Sequence, residues 1–65
     1  MGKVYWNLIQ LRKNKGLTQQ AMADLLEMHV STYNMKENGK LDFNISEAWK
    51  LKRLFDVSMD DIFLV

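Results

Sequence analysis

The chain has 65 residues, 48% of them hydrophobic, with nine Lys+Arg against eight Asp+Glu, a single histidine and neither Cys nor Pro. This composition predicts one small globular domain over residues 1–65 and excludes a multidomain enzyme, a disulfide scaffold and a thiolate metal site. His29 alone cannot build a zinc shell, so no metal and no cofactor are expected.

The predicted elements are short helices separated by regular punctuation. Val4, Leu8 and Leu11 fall at helical spacing, Arg12-Lys13-Lys15 suits the negative end of a helix dipole, and Gly16 supplies a left-handed stop, which predicts a first helix over about 4–15. Thr18 offers an N-cap hydroxyl to a second helix, Gln19 through Leu26, with Met22, Ala23 and Leu26 on one face. After a break around Glu27-Met28-His29, a third helix runs from Val30 to Lys36 and ends at the turn pair Asn38-Gly39. Asn44 with Glu47 reads as a capping box before a fourth helix, about 45–55, whose Ile45, Ala48, Leu51 and Phe55 share a face. Ser58 with Asp61 repeats the signature before a final turn, Met59 to Phe63. No segment alternates as a strand. The expected fold is all-α, a compact five-helix bundle of low contact order.

The longest apolar run, Ile62-Phe63-Leu64-Val65, is far short of the roughly 20 residues of a membrane-spanning helix, and no basic stretch precedes an apolar one as in an export signal. The expected location is cytoplasmic, with no membrane partner. Charge is unevenly placed along the chain. Residues 1–40 carry six bases against three acids, whereas residues 41–65 carry three bases against five acids, so a polyanion would dock on the first part.

The joint between the second and third helices is the informative one. Two short helices a few residues apart pack across each other when the first carries a small residue at the crossing, and Ala23 stands there, four residues before Glu27 and ten before Tyr33. That spacing reads as a helix-turn-helix. Together with Leu11-Arg12-Lys13-Asn14-Lys15-Gly16-Leu17-Thr18-Gln19, Glu37-Asn38-Gly39-Lys40 and Phe55-Asp56-Val57-Ser58-Met59-Asp60-Asp61-Ile62, it resembles the Cro and CI repressor-like (XRE-type) regulators over nearly the whole chain.

The resemblance implies a lambda repressor-like DNA-binding domain whose third helix lies in the major groove while the second crosses the backbone. It implies base contacts from His29, Val30, Ser31, Asn34 and Met35, with Met28 and Tyr33 packing inward. Of these, Asn34 suits a bidentate contact with adenine, Ser31 can serve either base of a pair, and Val30 or Met35 can touch a thymine methyl, so an A·T-leaning site is expected. Solvated helix surface is the competing reading of Asn34 and Ser31. Phosphate contacts are expected from Thr18, Gln19, Lys36, Asn38 and Lys40, with ordinary capping as the competing reading of Thr18. The resemblance also implies that Arg12 and Glu37 pair, leaving the guanidinium able to reach a phosphate.

Four positions depart from the family pattern. Glu27 stands where glycine is usual, so the turn is either rebuilt or strained. His29 replaces a Ser or Thr cap, which predicts a less firmly started third helix. Lys36 and Lys52 occupy places usually small or apolar, and their stems would snorkel past the core edge.

A chain this short buries only about 60% of its unfolded surface. Trp6, Ile9, Leu25, Phe43, Trp49, Phe63, Leu64 and Val65 exceed what such a core obviously hides. A homodimer through Phe63, Leu64 and Val65, flanked by Trp49 or Phe43, is expected, with core filling as the alternative. Two-fold symmetry would place two third helices about 34–36 Å apart on a palindromic operator of double-stranded DNA. A repressor is the expected function, with no room for a separate effector module. A protein-interaction module on the same fold, an antitoxin or anti-repressor, is the alternative. No carboxylate pair, nucleophile with base or glycine-rich phosphate loop appears, so neither an enzyme nor a small-molecule ligand is expected.

Overall fold

The computed structural model describes residues 3–64, and among these it is all helix: α1 (Trp6–Asn14), α2 (Gln19–Leu25), α3 (Val30–Glu37), α4 (Ile45–Phe55) and α5 (Met59–Phe63), with no strand. The boundaries follow the expected punctuation closely. Thr18, Asn44 and Ser58 each accept a backbone N–H three residues on, and Asn44/Glu47 and Ser58/Asp61 both close reciprocal capping boxes. The first helix starts later than its spacing suggests. Tyr5 donates its backbone N–H to the Glu37 carbonyl, 3.0 Å away, so the chain is held against the end of α3 before it can coil.

Three helices end in the same device. In the stop after α1, Leu17 N–H reaches back to Arg12 O and Gly16 N–H to Lys13 O; after α2, Met28 and Glu27 bond Ala23 O and Asp24 O; after α3, Lys40 and Gly39 bond Met35 O and Lys36 O. Each needs one left-handed residue. Gly16 and Gly39 supply it without strain, at φ 72° and 76°, but at the second stop the residue is Glu27, at φ 57°. The turn between α2 and α3 is therefore not rebuilt around glutamate; the strain is tolerated. A left-handed L-residue costs about 1–2 kcal/mol, while glycine loses about 0.5–1 kcal/mol of chain entropy. Glu27→Gly is accordingly expected to stabilise the protein by roughly 0.5–1 kcal/mol, read as a higher urea midpoint at unchanged slope. Asp56, at φ 53°, closes α4 in the same left-handed way, a stop that no glycine announced.

Leu8, Met22, Ala23, Leu26, Tyr33, Leu51, Phe55 and Ile62 form one buried core, with Tyr5, Leu11, Met28, Val30, Phe43 and Phe63 packed partly against it. Ala23 is fully buried, which lets α2 and α3 approach closely. One assignment is corrected. Ile45 does not join Leu51 and Phe55 in the core but is 78% exposed, and Ala48 is only half-buried. At 100° per residue it stands roughly 120° around the helix from Leu51 and beside Trp49, on the outer face. Among the described residues no helix is long and apolar enough to cross a membrane, and no group of His, Asp or Glu could hold a metal.

Candidate nucleic-acid interface

The outer face of α3 is built by what its inner face buries. Tyr33 and Glu37, one turn apart, point into the bundle, which leaves Ser31, Asn34 and Met35 outside. His29 gives the helix a firm start, contrary to expectation. The Ser31 backbone N–H donates to its Nδ1 at 3.2 Å, and the Ser31 hydroxyl lies 2.8 Å from the same atom. Because Nδ1 accepts, the ring proton sits on Nε2, which has no partner among the described residues and can donate outward. Val30 turns partly into the core, so Met35, 36% exposed, is the apolar group most available on this face.

Beneath that face lies a closed polar network. Glu37 receives Arg12 Nε at 2.9 Å and the Tyr33 hydroxyl at 2.6 Å on Oε2, and Arg12 Nη2 at 3.3 Å and Gln19 Nε2 at 2.9 Å on Oε1. Arg12 Nη1 donates to Leu17 O at 2.9 Å. Helices α1, α2 and α3 are thus joined through one carboxylate, and no buried side-chain polar atom among the described residues lacks a partner. Burial first, then the hydrogen bond to Glu37 and its negative charge, push the Tyr33 phenol far above its ordinary value of 10.0, so it remains a donor. Contrary to expectation, Arg12 does not reach outward to a phosphate. Only 9% exposed and bonded at all three nitrogens, it faces inward.

Gln19 joins this network to the surface. Its Oε1 accepts from Asn34 Nδ2 at 3.1 Å, linking Glu37, Gln19 and Asn34 in a line from core to outer face. Thr18 caps α2 through the Ala21 N–H at 3.0 Å. At the far end of α3, Asn38 Nδ2 donates to Asn34 O at 2.9 Å, and Lys40 is exposed in the loop beyond. The Lys3 backbone lies against Gly39, bringing a second lysine to this corner. Lys36 is placed elsewhere than expected: its ammonium donates to Glu47 Oε1 at 2.6 Å and sits 5.9 Å from the Phe43 ring centre, bridging α3 to α4. That bridge accounts for its stem at the core edge, and it removes Lys36 from the rim of charges around α3.

The apolar residues expected at an intermolecular contact divide. Phe43 and Phe63 pack tilted and edge-on with Tyr5 at centroid separations of 5.4–5.9 Å and complete the bundle's flank. Trp49 and Leu64 stay exposed, at 53% and 69%, while Val65 lies outside the described residues. Sequence reasoning missed the Tyr33 hydroxyl, read only as an apolar core group, and the Gln19 bridge. The i,i+4 spacing of Tyr33 and Glu37 was the available signal for the first.

A protein-family model described as "Helix-turn-helix" matches residues 8–62, from Leu8 in α1 to Ile62 in α5, and so takes in the whole network and the outer face of α3. No curated protein matches the chain.

Proposed function

The chain belongs to the helix-turn-helix family, in its XRE-type, Cro/CI-like branch, and from that membership we propose that it is a sequence-specific transcriptional regulator, a cytoplasmic repressor that binds palindromic operator DNA as a homodimer. The observation that carries this reading is the outer face of α3. It is polar, exposed and anchored from below, and a helix about 10–12 Å across fits a major groove about 12 Å wide. His29, Ser31, Asn34 and Met35 are the base-reading set, with Val30 at its inner edge. Thr18, Gln19, Asn38 and Lys40 flank them as the phosphate-contacting set. Exposed Trp49 and Leu64 supply the dimer contact.

Selection of random duplex DNA by the purified protein at about 100 mM salt tests the reading. The expected result is an enriched palindrome with half-sites about one helical turn apart. Lys40→Ala should then weaken binding equally on all sequences and reduce the salt slope by about one, whereas Asn34→Ala should relax the preference at one A·T pair. No enrichment, with affinity for a protein partner insensitive to salt, would favour the interaction module instead. A monomer at micromolar concentration, unchanged on deleting residues 63–65, would remove the homodimer.

A further inference from the structure

We propose that Gln19 is a specificity-positioning residue, which transmits the fixed polarity of the Glu37 carboxylate to Asn34 and so determines that an adenine, not a thymine, is accepted opposite Asn34. The inference rests on the operator-binding reading and adds to it the source of one base preference.

Donor and acceptor inventories fix the order of the groups along this line. A carboxylate accepts only, so the amide 2.9 Å from Glu37 Oε1 must be the Nε2 of Gln19. Its Oε1 then faces the surface, and that oxygen accepts only. Asn34 must answer with Nδ2, at 3.1 Å. Turning either amide over would set two acceptors, or two donors, against each other. Asn34 is exposed, and it is left with Oδ1 and one N–H in a fixed order along the outer face of α3. That pair matches the N6–H donor and N7 acceptor of adenine. An amide at liberty to turn would offer its donor to the O4 acceptor of thymine, and the distinction would fade. The Glu37 end of the line cannot adjust, because Arg12 and Tyr33 occupy its remaining acceptor sites.

The test compares the full chain with its Gln19→Met variant, which keeps side-chain length but has no amide. Both are titrated on the enriched duplex and on one with the Asn34-facing A·T pair inverted. The unaltered protein should discriminate on the order of tenfold, and Gln19→Met should bring the two duplexes within about twofold while other positions keep their preferences. Equal weakening on both duplexes, with the ratio unchanged, would make Gln19 a phosphate contact only and overturn the proposal. Nitrogen–proton spectra of the unaltered protein without DNA supply the second measurement. Slowly exchanging, well-separated Asn34 amide protons support the relay, and solvent-like ones overturn it whatever the DNA result. A held Asn34 amide together with no enriched duplex would overturn the operator reading, and this inference with it.

Discussion

Glu37→Ala is expected to destabilise the protein by about 3–5 kcal/mol, because it leaves the Arg12 guanidinium buried without a counter-charge. A chain of this length has roughly 3–10 kcal/mol of stability in all, at about 0.05–0.15 kcal/mol per residue, so the variant should lose a large share of it. The loss is broader than one ion pair: the Tyr33 hydroxyl and the Gln19 amide lose their acceptor in the same step. Arg12→Met should cost a similar amount by stranding the carboxylate. The double variant Arg12→Met/Glu37→Leu should recover much of either loss, since apolar replacement of both partners removes the uncompensated charge. Urea unfolding of the unaltered chain, Arg12→Met, Glu37→Leu and the double variant closes the cycle and gives the coupling directly. A single-variant cost below about 1 kcal/mol would mean that the pair behaves as an exposed one and does not hold the three helices together.

The second large effect is expected at Gly39. Alanine there incurs the left-handed penalty of about 1–2 kcal/mol, and its Cβ would also run into the Lys3 backbone. The clash is with main chain, so no side-chain rotation relieves it. The N-terminal segment must lift, which threatens the Tyr5 N–H to Glu37 O hydrogen bond. Gly16→Ala is the matched control: its φ of 72° carries the same strain, but nothing lies within 4 Å of the added carbon. Gly39→Ala should therefore cost about 1–3 kcal/mol more than Gly16→Ala, the usual range for overpacking. In thermal unfolding that difference is roughly 4–8 °C per kcal/mol. Equal losses in the two variants would show that the N-terminal segment moves aside without cost.

What could be read from the sequence was what local chemistry decides. Thr18, Asn44 and Ser58 start helices because a short polar side chain satisfies an orphan N–H within its own turn, and Gly16 and Gly39 stop them because they alone enter the left-handed region freely. The spacing from Gln19 to Tyr33 placed α2 and α3 for the same reason. Contacts between helices were beyond such reasoning. Lys36 is a plausible surface cation by sequence, and only the approach of α4 brings Glu47 within 2.6 Å of it. Ile45 belongs by spacing to either of two faces, and the direction in which α4 meets the core chooses the outer one. Gln19 was legible as a rim donor but not as a bridge, because its partners lie 15 and 18 residues away on another helix.

The division of α3 between a buried side and an exposed side also bears on how such a chain can diversify. Ser31 and Met35 contribute nothing to the core or to the Glu37 network, so substitutions there can change which DNA is bound while the fold stays indifferent. Asn34 lacks that freedom. Its amide is tied through Gln19 to the charge that joins three helices, so a new residue at that position brings either a compatible donor or a second change at Gln19. Evolutionary drift in operator preference should therefore be quick at two positions of the helix and slow, moving in pairs, at the third.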